Sequence, residues 1–398
     1  VNWNRLPDYT DIAIIGAGPH SLTLMTYLLQ KRAKLRSRVM IFDPSGEWLS
    51  SWHNQLAAQE IPHLRSPAVH HPDPNPFSLR KFAENRPSEL FPPYDLPGTK
   101  LFEDFCHDLI RCNQLEKAVV KDTVTRIMPK NGSFELDLGS GATIFARRVV
   151  LATNGGIPNL PNWVTKIQPP TLVHSSQVDL RGLKLTGERI LIVGGGLTSG
   201  HLAVGAIGKG ATVDLMARRV LQEKLFDADP GWLGPKYLKG FQAETCWEKR
   251  FTMIKEARNG GSMTPAIMLK LRRLTREGKL KLEENCQVES VHWQSGQWQV
   301  KCENGQIYYY HRIWLATGSQ FQAENHPLLG DIWEKYQTPI IQGLPVLDEY
   351  LRVKGTELFM MGGLAALRLG PTARNLSGAI KASQLITEAL VKPSLAVI

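Results

Sequence analysis

The chain has five cysteines, Cys106, Cys112, Cys246, Cys286 and Cys302, and no two of them form a C-x-x-C pair. That spacing excludes dithiol chemistry through a close thiol pair. None stands at metal-ligand spacing from a histidine, so no metal is expected. No uninterrupted apolar run approaches the ~20 residues that a membrane-spanning helix needs. The segment Val1 to Asp11 is polar and lacks the charged-then-apolar layout of a secretion signal, which makes the cytosol the expected compartment. No Ser/His/Asp or paired-carboxylate constellation stands out. The charge of +10 also lacks an aromatic-interleaved groove: the basic clusters at 31–38 and 272–281 read as solvated helix ends and turns. Nucleic acid is therefore not an expected partner. A positive field suits a polyanionic small molecule instead.

What is present is a glycine-bearing strand-to-helix turn, and it occurs twice. Asp11-Ile-Ala-Ile-Ile-Gly16-Ala-Gly18-Pro19-His20-Ser21-Leu22 reads as a buried parallel strand, a turn and a helix running to Leu29. Gly16 permits the tight turn, Gly18 lets backbone approach a pyrophosphate, and Ser21 is small enough for the third position. The helix start offers free N–H groups and a positive dipole end. The next strand ends in Asp43, a carboxylate suited to a ribose hydroxyl pair. The second copy is Arg189-Ile-Leu-Ile-Val-Gly194-Gly195-Gly196-Leu-Thr198-Ser199-Gly200. Its following strand, 211–219, carries Arg218 and Arg219 where an acid would stand. Guanidinium groups there suit the 2′-phosphate of NADPH, the alternative being an exposed, solvated pair.

Each turn is followed by the same pattern. Segments 119–128, 133–138 and 143–145 read as a small antiparallel meander, closed by Val149-Val-Leu-Ala-Thr153-Asn154. Segments 288–293, 298–302 and 306–310 repeat it, closed by Ile313-Trp-Leu-Ala-Thr317-Gly318. The chain ends with a strand, a glycine turn and Gly370-Pro-Thr-Ala-Arg374-Asn375-Leu376 entering an apolar-periodic helix. The fold class expected is α/β, with two Rossmann-like dinucleotide-binding domains, each with a parallel sheet and a small antiparallel meander. The first domain is expected over 1–180 and 312–398. The second, over 181–311, is inserted into it and carries a helical insertion at about 221–275. In that insertion Trp232, Lys236 and Tyr237 either face a substrate or pack on their own domain.

These segments resemble the FAD- and NADPH-dependent single-component monooxygenases, which include flavin-containing monooxygenases, Baeyer–Villiger enzymes and lysine/ornithine N-hydroxylases. Gly16-Ala-Gly18-Pro19-His-Ser-Leu is similar to the G-x-G-P-x-x-L opening of the N-hydroxylases. Asp73-Pro-Asn75-Pro-Phe77-Ser-Leu is similar to their segment beside the flavin, and Leu315-Ala-Thr317-Gly318 to their A-T-G motif. Gly46-Glu-Trp48 is closer to the G-G-x-W of the wider group. Two departures stand beside these: Gln168 and Pro170 replace the Phe and Gly of the F-x-G-x-x-x-H fingerprint. Pro62-His-Leu-Arg65-Ser66-Pro67 has no lysine like the one that engages substrate in the N-hydroxylases.

The resemblance implies FAD on Gly16, Gly18, Pro19, His20, Asp43, Trp48, Trp52, Thr153, Gly318, Gly370, Arg374, Asn375 and Leu376. It implies NADPH on Gly194, Gly195, Gly196, Thr198, Ser199, Arg218 and Arg219. His20, Arg65, Ser66 and Asn75 are the flavin-side candidates; His20 positions the turn or moves a proton, and Arg65 binds an anion or makes an ion pair. The adjacent His70 and His71 read as loop packing. The implied activity is hydride transfer from NADPH to FAD, then oxygen activation as a C4a-hydroperoxyflavin that hydroxylates an amine or other soft nucleophile. Partners are then a small-molecule substrate and oxygen, with an oligomer possible. The second reading is an NADPH-dependent reductase that passes electrons to a quinone or protein acceptor. The third is a flavin-binding sensor without turnover, which the intact second glycine turn argues against.

Overall fold

The computed structural model describes residues 6–153, 155–164, 169, 171–258 and 260–392. An apolar run fixes the centre of its first half. β1 (Tyr9–Ile15) buries Ile12, Ala13, Ile14 and Ile15, as a strand covered on both faces must. Gly16 takes a φ of 98° and turns the chain into α1 (Pro19–Lys31), after which β2 (Val39–Asp43) runs parallel to β1. α2 (Ser50–Ala58) and α3 (Thr99–Cys112) follow. β3 (Thr143–Leu151) then lies on the other side of β1, also parallel. The full order is Val119–Lys121, β2, β1, β3, Ser133–Leu138, Val124–Lys130, with Leu358–Met360 paired to the end of β3.

Segments 143–145 and 149–153, expected as separate strands, are one strand as far as Leu151. β3 pairs antiparallel with the meander at Thr143–Ala146 and parallel with Leu358–Met360 at Val149–Leu151. The first meander therefore extends the parallel sheet and does not stand apart from it.

The second sheet is wholly parallel. It contains β4 (Leu172–His174), β5 (Arg189–Val193), β6 (Thr212–Ala217), β7 (Leu280–Glu284) and β8 (Arg312–Leu315), in the order β4-β8-β5-β6-β7. β7 starts with Leu280 and Lys281, which fall in the basic stretch 272–281 expected as solvated helix ends and turns. Its charged residues suit an edge, where Lys281 and Glu283 pair with each other on the solvent side. Here the meander, Val288–Gln294, Gln297–Cys302 and Ile307–Tyr310, forms a sheet of its own.

β4 and β8 sit in this second sheet, although 172–174 and 312–315 fall in stretches expected in the first half. The chain crosses between halves at Gly156–Pro158 and Ser319–Phe321, which pair antiparallel. Two short strands side by side thus form the double connection.

The insertion divides. α4 (Leu197–Gly208) and Pro265–Arg276 pack together in the second core, where a Cβ on Gly200 would meet Ile267 at 2.5 Å. Trp232, Phe241 and Ile254 instead join the first core. The Arg250 guanidinium, stacked over Trp247, donates to Leu367 O at 3.1 Å, and Arg258 donates to Pro371 O at 2.9 Å. Trp232 is therefore a core residue, while Lys236 lies exposed over the Tyr237 ring.

Candidate functional site

Each half brings its first glycine against the same feature. A Cβ on Gly16 would sit 3.0 Å from Ala152 O, and one on Gly194 2.3 Å from Ala316 O. The repeated Leu-Ala-Thr sequence thus ends a return strand whose alanine carbonyl touches the turn, which explains why glycine is required there. Gly18 and Gly196 by contrast face open space, with no atom of the described residues within 4 Å of a Cβ. The third-position serines bond back to their turns: Ser21 Oγ donates to Gly16 O at 2.5 Å and Ser199 Oγ to Gly196 O at 2.6 Å.

The helix N-termini at these turns are left open. Neither Gly18 before α1 nor Gly196 before α4 supplies a side-chain cap, and Asn375 before α5 (Leu376–Val391) does not use its amide as one. Three helix starts therefore present free N–H groups, the arrangement that receives phosphate oxygens. Two of them belong to the first half and one to the second.

His20 joins the first-half pair. Its Nε2 lies 3.2 Å from Ala373 O, a carbonyl that only accepts, so Nε2 carries the proton. Burial pushes its pKa below the ordinary imidazole value, against the effect of that hydrogen bond. A neutral, positioned His20 fixes the glycine turn to the 370–376 loop. Nearby, the hydroxyls of Thr153 and Thr372 are buried with no hydrogen-bond partner among the described residues. Asp43 Oδ2 accepts from Ala17 N–H at 3.1 Å and Oδ1 from Ser45 Oγ at 2.6 Å, holding a carboxylate at the end of β2. Open helix starts, orphaned hydroxyls and this carboxylate fit a dinucleotide.

A charged cluster lies alongside. Asp227 faces Arg65 at 3.7 Å and accepts from Arg258. Burial would raise its carboxyl, but Arg258, Arg374 and Arg65 outweigh that and hold it below the ordinary range. Arg374 is exposed to solvent at one end, while the protein packed around it and the Arg258 charge bring its guanidinium down to about 10. Three cations around one anion leave the cluster positive. This cluster escapes sequence reading because its members stand far apart in the chain.

Several expected site residues are engaged elsewhere. Arg65 donates to Leu225 O (2.8 Å), Lys224 O (2.7 Å) and Ser262 Oγ (2.8 Å), so it buckles the 65 segment to the insertion and is not free for a substrate anion. Asn75 sits exposed, its Oδ1 accepting from Phe77 N–H at 3.1 Å in a local turn. Ser66 is half-buried beside Arg65. The Trp48 indole is buried and donates to Leu115 O at 2.9 Å, and Trp52 packs on Phe102. Gly318 lies at the connection between halves, where its carbonyl accepts from Asn159 N–H at 2.9 Å and from His174 Nε2 at 3.0 Å. His71 is buried and His70 half-buried, in keeping with loop packing. Gln168, Pro170, Asn154, Asn259 and Val1 to Arg5 lie outside the described residues.

In the second half, Arg218 is exposed just beyond the end of β6, and Arg219 lies against Gly260. The loop 260–262 folds over the turn, where a Cβ on Gly261 would be 3.4 Å from Gly196 Cα. On α4, burial brings His201 down to about 4, with His63 and Lys270 adding to the effect. An unfolded chain takes this proton near pH 6.5, so the native state loses stability as pH falls from about 6.5 to about 4 and gains nothing further above that window. His201→Gln is expected to remove a pH-dependent loss of at most roughly 3 kcal/mol, read as a flatter slope of urea midpoint against pH.

This arrangement, two sheets whose central parallel strands each lead into an open glycine turn, is the two-domain dinucleotide-binding fold. An FAD-NAD(P)-binding family model matches residues 13–156, and the model for L-lysine 6-monooxygenase/L-ornithine 5-monooxygenase matches residues 112–320. The chain belongs to the lysine/ornithine monooxygenase family, and so to the oxidoreductases that use FAD with a nicotinamide dinucleotide. The L-lysine N6-monooxygenase of Escherichia coli is 36% identical over 105 residues, which cover 24% of this chain and 24% of that protein. The FAD-bound cadaverine monooxygenase of desferrioxamine biosynthesis from Erwinia amylovora has the same fold (TM-score 0.78, 16% identity, 96% of this chain and 94% of that one). So does the ornithine N-hydroxylase of Kutzneria with reduced FAD, NADP+ and L-ornithine (TM-score 0.76, 17% identity, 96% and 99% covered). Among the described residues no helix is long and apolar enough to cross a membrane.

Proposed function

We propose that the protein is an FAD- and NADPH-dependent monooxygenase that hydroxylates the nitrogen of an aliphatic primary amine. The observation that carries this reading is the lysine/ornithine monooxygenase match over 112–320, a stretch that includes the second glycine turn. The relatives named above act on lysine, cadaverine and ornithine, all of which carry a terminal alkylamine. FAD would lie on Gly16, Gly18, Pro19, Asp43, Thr153 and the 370–376 loop, with His20 holding that loop to the turn. NADPH would lie on Gly194 to Ser199, with Arg218 and Arg219 toward its 2′-phosphate. FAD, when bound, supplies the electron transfer and the oxygen chemistry. The chain's own residues bind, orient and shield: neutral His20 adds no charge beside the turn, while Arg374 and its neighbours favour the anionic cofactors.

The first half (1–158 with the chain after 319) and the second half, with the 226–258 segment serving the first, form our proposed division of labour. Steady-state assays with alkylamines test the function. Amine-dependent oxygen uptake should match NADPH consumed and hydroxylamine formed. Fast quinone reduction with no hydroxylamine from any amine would replace this reading with that of a reductase. Arg218→Ala should raise the KM for NADPH roughly ten- to a hundred-fold, the worth of a charge-assisted hydrogen bond, and leave that for NADH unchanged. Equal loss with both nucleotides would remove Arg218 from the 2′-phosphate.

A further inference from the structure

Away from the glycine turns, α2 and α3 bring two imidazoles and a carboxylate together. Glu103 and His107 stand four residues apart on α3, hence on one face of that helix. His53 comes from α2, its Nδ1 3.5 Å from Glu103 Oε1 and its ring 5.5 Å from that of His107 in an edge-on contact. The three donor atoms all lie within 4.8 Å of one another. They open onto a cavity of about 500 Å³ that Glu47 and Glu116 also line. The buried Nε2 of His53 has no hydrogen-bond partner among the described residues, which do not use up both ring nitrogens.

We propose that His53, Glu103 and His107 form a binding site for a divalent transition-metal ion, with a further coordination position open to the cavity. Two imidazole nitrogens and one carboxylate oxygen are donors for zinc, nickel, cobalt or ferrous iron; magnesium and calcium prefer oxygen alone. Metal–ligand bonds of about 2.0–2.2 Å need donor atoms roughly 3–3.5 Å apart, so the widest-spaced side chains must close in by roughly 1–2 Å, a rotamer adjustment that the open cavity allows. The one donor carboxylate, with Glu47 and Glu116 nearby, offsets much of the ion's charge. Lys100, one turn away on α3, is paired with Asp104 at 2.5 Å, which leaves Glu103 facing His53, although the Lys100 charge is also felt at Glu103 and His53. A bound ion would staple α2 to α3 beside Trp48 and Trp52. Sequence reading missed the site because about fifty residues separate His53 from its partners.

The test uses the tag-free, FAD-loaded full chain after chelation, titrated with zinc, which is redox-inert and spares the flavin. Calorimetry should show one zinc per chain. His53→Ala, Glu103→Gln and His107→Ala should each weaken binding at least about tenfold, since even outer-sphere partners of a metal are worth that much. Magnesium should give no heat. His107 is exposed, so His107→Ala keeps the fold, and an unchanged flavin spectrum verifies it. No saturable zinc binding to the wild type, or binding that all three variants retain in full, overturns the proposal. Neither outcome touches the monooxygenase reading, which is scored by hydroxylamine formation.

Discussion

Gly194→Ala is expected to leave a yellow, FAD-loaded protein whose flavin NADPH can scarcely reduce. The added methyl would lie 2.3 Å from Ala316 O and 2.8 Å from its carbonyl carbon, both backbone atoms. Neither side can retreat cheaply. Ala316 N–H is held by Val193 O at 2.8 Å, and Gly194 N–H by Met216 O at 2.9 Å. The φ of 143° adds strain of its own for any residue with a Cβ. Strain and overpacking of roughly 1–3 kcal/mol each would displace the turn that presents the α4 N–H groups. At 1.4 kcal/mol per decade, the combined roughly 2–6 kcal/mol should weaken nucleotide binding by about thirty-fold or more. Anaerobic stopped-flow reduction reads this directly, and dithionite should still bleach the flavin at the wild-type rate. Normal reduction by NADPH would mean that this turn does not hold the nicotinamide dinucleotide. Gly196→Ala makes the comparison sharper: it meets no atom of the described residues within 4 Å, so any loss there comes from the space a phosphate needs.

Both turns, Gly16 to Ser21 and Gly194 to Ser199, are legible in the sequence because everything that makes them lies within a dozen residues: an apolar run, glycines and a helix start. The Leu-Ala-Thr repeat is legible as a repeat, but its purpose is not. Only the fold puts Ala152 and Ala316 against the first glycines. β7 is hidden because Lys-Leu-Lys-Leu-Glu-Glu is too charged to announce a strand, and an edge position is what permits that charge. β4 and β8 are assigned to the other half for a related reason. Parallel neighbours come from distant stretches, and local pattern carries no pairing information. Arg65 shows the same limit among side chains. Its place in the sequence leaves it either an anion site or one half of an ion pair, whereas its partners Lys224, Leu225 and Ser262 lie about 160 to 200 residues away and take up most of its N–H groups. For Trp232 the sequence leaves two readings, facing a substrate or packing on its own domain, and only the fold shows it buried in the core of the first half.

Glu357→Ala is expected to be among the most destabilising single substitutions in the first half. Its carboxylate lies between two buried guanidinium groups, accepting from Arg148 Nε and Arg352 Nη1, each at 3.1 Å. Their side chains are only 7% and 8% exposed. After truncation Arg148 would keep Asp11, at 3.6 Å, and Arg352 would keep Asp348, at 2.7 Å. Two desolvated cations would thus share less negative charge, in a place where water cannot replace it. Breaking a buried pair in this way costs about 3–5 kcal/mol, most of it the penalty of stranding the partners. The damage is not confined to stability. Glu357 immediately precedes Leu358–Met360, the strand that pairs with β3 and leads toward the loop His20 holds. The first urea transition should therefore shift to lower denaturant by that amount, with FAD released in the same step. Glu357→Gln keeps the side-chain volume and removes the charge, which separates the two causes. If stranded charge causes the loss, Glu357→Gln should be about as unstable as Glu357→Ala; if lost packing causes it, Glu357→Gln should stay close to wild type.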